Sequence, residues 1–205
     1  MSINMIPRTT SIMLVCRLSL LSAPLLLACS TDKDILDSAE IPEETYASDI
    51  AKECHAVIDS WTDPWQGIEF AALEEINKRR AEPADCRTQG TFEPAPPLEM
   101  NPNLHCSARY HSYWMWENKT YEHNSPGGDL GDDPWQRMAN AGFTGAPTGE
   151  NVAFGYPTPF TVIEGWMNSD GHCAIIMNPQ STLAGVGFYQ SSDDYIYYWT
   201  LNTGI

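Results

Sequence analysis

This 205-residue chain contains six cysteines, and their number and spacing limit the chemistry that they can do. Cys54, Cys86, Cys106 and Cys173 follow an N-terminal apolar stretch, and an even number of cysteines in an exported chain favours two disulfides, in any of three pairings. Because the chain has no C-x-x-C motif, we expect neither a structural zinc site nor a thioredoxin-like redox centre. Cys173 directly follows His172, but adjacent side chains usually point in different directions, so we do not expect a catalytic thiol.

A fifth cysteine, Cys29, ends an apolar run at residues 18–28 that Arg17 precedes. The run has the length of a signal peptide and is too short to cross a bilayer as a helix. Ala28 supplies the small residue that a bacterial lipoprotein signal needs before its cysteine, so the sequence predicts cleavage after residue 28 and lipidation of Cys29. The alternative is an ordinary secretory signal, which the lack of a convincing Ala-x-Ala site disfavours. We therefore expect a protein anchored by lipid in a bacterial cell envelope, at the outer membrane or cell surface, or otherwise a secreted one.

Net charge limits the partners of the chain. Its 11 Lys and Arg residues against 27 Asp and Glu residues give a formal net charge of −16. A surface this acidic repels nucleic acids and anionic headgroups, so we expect no nucleic-acid partner and a membrane reached only through the N-terminal lipid. We interpret residues 29–65 as an acidic tether, in which residues 50–61 have the apolar spacing of a docking helix.

Residues 66–205 are predicted to form one α+β domain, because its helices come early and its strands late. Helices are predicted at residues 67–80, from Asn101-Pro102, from Asp133-Pro134 and from Thr158-Pro159. Strands are predicted at residues 149–155 and in a hairpin of residues 181–190 and 194–202. In the third of these helices, Trp135, Met138 and Ala139 are expected to face inward.

Short motifs of catalytic or metal sites are missing from this domain. It has no G-x-S-x-G and no H-E-x-x-H sequence, and the acidic residues between positions 122 and 133 do not have the spacing of an EF-hand loop. His111 shares a buried helical stripe with Leu104, Ala108 and Met115. We expect His111 to be a hydrogen-bonded core residue, or a support for a site, rather than a ligand.

Several segments of the domain, taken in order, resemble the CAP superfamily of cysteine-rich secretory, antigen-five and pathogenesis-related proteins, in its short bacterial form. The segments are ARYHS at 108–112, YEHN at 121–124, GENVA at 149–153, WMNSDGHC at 166–173, IMNP at 176–179 and GVG at 185–187. The resemblance covers roughly residues 67–202 and implies a three-layer α-β-α sandwich with a mostly antiparallel central sheet.

The resemblance also implies a cavity lined by two histidines and acidic residues. By motif, His123, Glu150 and His172 match three members of this set, and Ser169 stands where a second glutamate would fall. His111 and Asn151 are expected to support the cavity without touching its ligand. Relatives are reported to bind zinc in this place, so zinc is the cofactor that the resemblance implies, with two imidazoles and one carboxylate as ligands.

Three functions remain open for these residues. They could form a pocket for a metal or for a small apolar or envelope-derived ligand, and a groove lined by aromatic side chains would suit an apolar or carbohydrate ligand. They could form a hydrogen-bonded structural cluster. They could also belong to a metal-dependent or acid–base hydrolase acting on envelope peptides or polymers. We favour the binding protein and assign no catalytic residue.

The resemblance suggests the disulfide pairing as well. Bacterial relatives carry cysteines at the positions of Cys86 and Cys173, which makes these two the preferred pair. Cys54 would then join the N-terminal segment to Cys106 on the second helix.

Overall fold

A computed structural model describes residue 61, residues 63–192 and residues 196–205 of the chain. The predicted leader, the lipidation site Cys29, and Cys54 with most of the predicted tether lie outside the described residues. In the part that is described, no helix combines the length and the apolar character needed to cross a membrane.

The described residues form helices on both sides of a four-stranded sheet, which is the α-β-α arrangement expected from the sequence. The elements are α1 (Asp63–Arg80), β1 (Ala84–Asp85), β2 (Thr91–Phe92), β3 (Glu99–Met100), α2 (Pro102–Glu117), α3 (Pro134–Asn140), β4 (Pro147–Phe154), α4 (Pro159–Met167), α5 (Asp170–Met177), β5 (Leu183–Gln190) and β6 (Tyr197–Gly204), with a short 3₁₀ turn at Arg87–Gln89. The strand order in the sheet is β3-β5-β6-β4, and β1 and β2 pair separately.

Antiparallel pairing dominates the sheet, as predicted. β5 pairs with β6 as the expected hairpin, β6 pairs with β4, and only the two-residue β3 runs parallel to its neighbour β5. Since side chains alternate along a strand, Glu150, Val152 and Phe154 of β4 share one face of the sheet. On β6, Asn202 and Tyr198 lie opposite Glu150 and Phe154 and belong to the same face.

α2 packs directly on this face of the sheet. Its first turn begins where the sequence predicts, since the Asn101 side chain accepts hydrogen bonds from the backbone amides of the next turn. Leu104, Ala108, His111 and Met115 are all fully buried, which confirms the predicted stripe. Gly185 and Gly187 of β5 allow α2 to approach the sheet this closely. A Cβ at Gly187 would lie 2.2 Å from the Ala108 carbonyl carbon.

The opposite face of the sheet carries the main hydrophobic core. Side chains of α1, α4 and α5 pack there against apolar residues of β5 and β6, including Val186, Phe188, Trp199 and Leu201. Burial of this apolar surface is the main force that holds the three layers together.

A disulfide between Cys86 and Cys173 joins the loop before β2 to α5, which confirms the preferred pair. It closes a loop of 87 residues, and such a cross-link restricts the unfolded chain by about 4–5 kcal/mol in the loop-entropy model. Cys106 is also disulfide-bonded, and its predicted partner Cys54 lies outside the described residues.

A polar cluster, here called the core cluster, consists of Glu69 on α1 with His105 and Arg109 on α2. Glu69 is fully buried and accepts hydrogen bonds from His105 Nε2 at 2.8 Å and from Arg109 Nε at 2.9 Å. Two further donors reach the same carboxylate, the Phe188 amide at 3.0 Å and the indole of Trp61 at 2.9 Å. β3 pairs only with Leu183 and Ala184 of β5. The Glu69 carboxylate therefore accepts the hydrogen bond of the Phe188 amide, for which β3 is too short to provide an acceptor.

The orientation predicted for α3 is correct for Met138 and wrong for Trp135 and Ala139. Trp135 is 51% exposed and Ala139 is also exposed, whereas Arg137 and Met138 are fully buried. The physical reason is that the guanidinium of Arg137 forms hydrogen bonds with Ser125, His123 and Glu150 inside the protein. These bonds stabilise the fold more than burial of the Trp135 indole would.

Candidate functional site

Two of the predicted site residues meet directly. Glu150 lies in the middle of β4 with its side chain 2% exposed, and His123 lies in the loop after α2 with its side chain 50% exposed. The Nδ1 atom of His123 is 3.0 Å from Oε1 of Glu150. One end of the pair is therefore inside the protein and the other end faces solvent.

Arg137 holds this pair from within. Its Nη2 atom donates to Oε2 of Glu150 at 2.7 Å and to the backbone carbonyl of His123 at 2.9 Å. Its Nη1 atom donates to the Ser125 hydroxyl at 2.6 Å. The arginine thus ties β4 to the loop that carries His123, and we call His123, Glu150 and Arg137 the open cluster.

Asn202 on β6 completes the environment of Glu150. In the amide orientation that matches donors with acceptors, Asn202 Nδ2 donates to Oε2 of Glu150 at 3.0 Å. The amide oxygen then accepts from the Ser107 hydroxyl and the Ala108 amide of α2, at 3.1 and 3.2 Å. The carboxylate is consequently fixed by groups from the loop, α3 and β6.

The hydrogen bonds decide the charge of Glu150. Burial by itself raises the pKa of this carboxyl, but the hydrogen bonds from His123 and Arg137 and the charge of Arg137 outweigh burial. The pKa of Glu150 therefore lies below its usual value, and the group is an anion at neutral pH. An anion that accepts from His123 Nδ1–H fixes the tautomer of that ring and directs Nε2 away from itself.

His172 lies near the start of α5 and is half-buried. Its backbone carbonyl accepts a hydrogen bond from the Asn151 side chain at 3.1 Å, so Asn151 of the G-E-N strand positions the helix that carries His172. Burial lowers the pKa of His172, and the nearby His123 lowers it further. The ring of His172 is therefore predominantly neutral at pH 7.

His111 supports the loop that carries His123. It is fully buried, its Nε2 atom donates to the Glu122 carbonyl at 2.8 Å, and its ring stacks on Trp114 with centroids 6.0 Å apart. Burial lowers the pKa of His111 to about 4. Its ring is therefore neutral and holds the loop at the residue before His123.

The residues present do not fit the three-ligand zinc site that the resemblance implies. Both oxygens of Glu150 are already engaged, one with His123 and the other with Arg137. Among the described residues, no group of three or more His, Cys, Asp or Glu side chains is placed to hold a metal ion. The zinc site therefore stays a prediction from the resemblance.

The family of the chain follows from its match to a known model. Residues 73–203 match the model of the CAP family, described as the cysteine-rich secretory protein family. The chain belongs to the CAP family. The motifs quoted above, from ARYHS to GVG, all lie within the matched region of this CAP domain.

Relatives of the CAP domain occur in bacteria. A Bacillus subtilis protein named YkwD is 38% identical over 95 residues, which are 46% of this chain and 36% of that protein. The Bacillus subtilis membrane protein YlbC is 36% identical over 78 residues, which are 38% of this chain and 21% of YlbC. The chain therefore spans about a third or less of the length of these relatives.

A solved structure has a similar fold. It is that of an extracellular protein containing an SCP domain from Bacillus anthracis, with a TM-score of 0.53 and 26% sequence identity. The similarity covers 70% of this chain and 43% of that one.

Sequence reasoning missed three residues of the site, namely Arg137, Ser125 and Asn202. One signal could have identified Arg137: it lies three residues after Pro134 and beside Met138, on the stripe that α3 buries. No local pattern marks Ser125 or Asn202, whose contacts with the cluster depend on the assembled fold.

Proposed function

We propose that this CAP domain is an exported binding protein whose ligand contacts the imidazoles of His123 and His172. The observation that carries the proposal is the half-exposed ring of His123, held at Nδ1 by the buried, anionic Glu150. The hydrogen bond at Nδ1 leaves Nε2 of this half-exposed ring for contact with a ligand.

The arrangement suits binding because the polar groups are positioned before any ligand arrives. Arg137 and Glu150 are buried and fixed by hydrogen bonds, so His123 loses little freedom when it engages a ligand. The neutral ring of His172 offers a further donor or acceptor. Hydroxyl and amide groups of a small envelope-derived molecule are the partners that imidazole nitrogens can bind.

The hydrolase alternative receives no support from this geometry. A carboxylate that acts as a general base must have an oxygen available for the proton that it removes. Glu150 uses both oxygens to hold His123 and Arg137. We therefore assign Glu150 to the positioning of His123.

Export is supported by the apolar leader, by the Cys86–Cys173 disulfide and by the extracellular Bacillus anthracis relative. The lipid anchor at Cys29 is tested by labelling cells with an alkyne fatty acid. We expect label in the wild-type chain and none in Cys29→Ser, and label retained by Cys29→Ser would contradict the anchor.

Binding is tested with soluble fragments from a muramidase digest of bacterial cell wall. Native mass spectrometry of the full chain should detect a bound fragment that is lost in His123→Ala and reduced in His172→Ala. Lys78→Ala is the control, because its side chain is 70% exposed on α1 and is not part of the site. Equal occupancy in His123→Ala and the wild type would exclude this site as the binding surface.

A further inference from the structure

Two exposed aromatic side chains lie on the loop and the strand that carry His123 and Glu150. Tyr121 is 51% exposed and Phe154 is 44% exposed, and their ring centroids are 6.2 Å apart. Tyr121 is two residues before His123 in the same loop, and Phe154 is four residues after Glu150 on the same face of β4. The aromatic pair therefore shares the loop of His123 and the sheet face of Glu150.

Both rings are held in place by the residues behind them. The Tyr121 hydroxyl donates to the Val152 carbonyl of β4 at 3.2 Å. Phe154 packs on Tyr198, its partner residue on β6, with centroids 5.3 Å apart. Rings that are ordered before binding lose little side-chain entropy when a ligand covers them.

Another exposed aromatic residue shows what an ordinary surface ring looks like in this chain. Phe160 on α4 is 57% exposed, and the guanidinium of Arg79 lies over it, 5.7 Å from the ring centre. Tyr121 and Phe154 instead expose neighbouring rings together. Adjacent exposed apolar side chains next to polar groups are a common feature of interaction sites.

The charges around the pair favour a neutral ligand. Arg137 of the open cluster is fully buried and paired with Glu150, so its positive charge is not available to an anionic ligand. The formal net charge of −16 adds a general repulsion of anions. The ligand must also supply hydrogen-bonding groups to the imidazoles, which an acyl chain lacks.

We propose that Tyr121 and Phe154 form a stacking platform for a neutral sugar ring, whose hydroxyl or amide groups reach His123 and His172. A pyranose has a face of C–H groups and a rim of hydroxyls, which match a flat apolar surface bordered by imidazoles. This inference rests on the proposed function and names the class of ligand that the site takes.

The test uses isothermal titration of the full chain with the tetramer of N-acetylglucosamine. Tyr121→Ala and Phe154→Ala should each weaken binding about fivefold to tenfold, since each removes one stacking surface. Tyr121→Phe keeps the ring and should stay within about threefold of the wild type. Phe160→Ala is the matched control and should bind like the wild type, and circular dichroism checks that every variant is folded.

Three results would overturn the inference. The first is a wild-type chain that binds neither this tetramer nor cellotetraose. The second is unchanged sugar binding in both Tyr121→Ala and Phe154→Ala. The third is binding of palmitate in place of sugar, lost in the same two variants, which would make the platform an acyl-chain site. If wall fragments still bind and depend on His123 while the platform variants have no effect, the proposed function stands and this inference fails.

Discussion

A glutamate, an arginine and a histidine meet at two places in this domain, and the two clusters differ in how much of the histidine is exposed. In the core cluster, the side chain of His105 is 1% exposed and that of Glu69 is fully buried. In the open cluster, Glu150 is nearly as buried, at 2%, but His123 is 50% exposed. The same three residue types therefore form a sealed structural contact in one place and a surface that a ligand can reach in the other.

The difference arises from the donors around each carboxylate. Glu69 accepts from a tryptophan indole and a strand amide in addition to its arginine and histidine, so protein groups surround it. Glu150 accepts from His123, Arg137 and Asn202, and the far side of His123 faces water. The two clusters contain the same residue types, so residue type alone does not tell which of them a ligand can reach. The exposed fraction of the histidine side chain does.

Glu69→Ala should produce the largest loss of stability, because it leaves Arg109 buried without a carboxylate partner. We expect a loss of about 3–5 kcal/mol in the free energy of unfolding, measured by urea denaturation. Glu75→Ala is the control on the same helix, since Glu75 pairs with the surface side chains of Lys78 and Arg79, and it should cost less than about 1 kcal/mol. A Glu69→Ala variant as stable as Glu75→Ala would mean that the core cluster contributes nothing to folding.

Glu150→Ala should cost less, about 2–4 kcal/mol, and should also abolish ligand binding. Arg137 loses its carboxylate but keeps the Ser125 hydroxyl and the His123 carbonyl as acceptors. Glu150→Gln separates charge from shape, because the amide can still contact His123 but cannot neutralise Arg137. If Glu150→Ala destabilised the protein more than Glu69→Ala, the distinction between the two clusters would be wrong.

A third histidine, outside the open cluster, makes the stability of the folded protein depend on pH. Burial lowers the pKa of His111 from 6.5 to about 4 in the folded protein, so the unfolded chain takes up this proton first. The contribution of the neutral His111 ring to the free energy of unfolding is therefore complete above pH 6.5. It decreases by up to about 3 kcal/mol as the pH falls to about 4. His111→Gln keeps a donor for the Glu122 carbonyl and should flatten this part of the profile in urea titrations between pH 7 and 4. Parallel profiles for the variant and the wild type would contradict a neutral, buried His111.

The sequence predicted the parts of the fold that depend on local signals. Asn101-Pro102 marked the start of α2, and alternation marked the β5–β6 hairpin. The orientations of Trp135 and Ala139 on α3 were predicted wrongly because apolar residues were expected to face inward, whereas the charged Arg137 is buried beside Met138. Hydrogen-bond partners that lie far away in the chain are invisible to such a pattern.

The candidate site was only partly accessible from the sequence. His123, Glu150 and His172 came from a family resemblance, and the structure joins the first two by a hydrogen bond. The core cluster was not predicted at all, because it joins residues 69 and 105, which are 36 positions apart in the chain. Spacing cannot reveal which of two glutamates ends up beside an exposed histidine.

The smallest stability effect gives the most direct comparison of the two histidines. His123→Gln should change the free energy of unfolding by less than about 0.5 kcal/mol, since half of its side chain is already in water. His105→Gln should cost about 1–2 kcal/mol, because its ring is buried against Glu69 and Phe70. Ligand binding should show the opposite order: it should be lost in His123→Gln and retained in His105→Gln under conditions where both are folded. Equal effects of the two variants in both measurements would mean that exposure does not distinguish the site from the core.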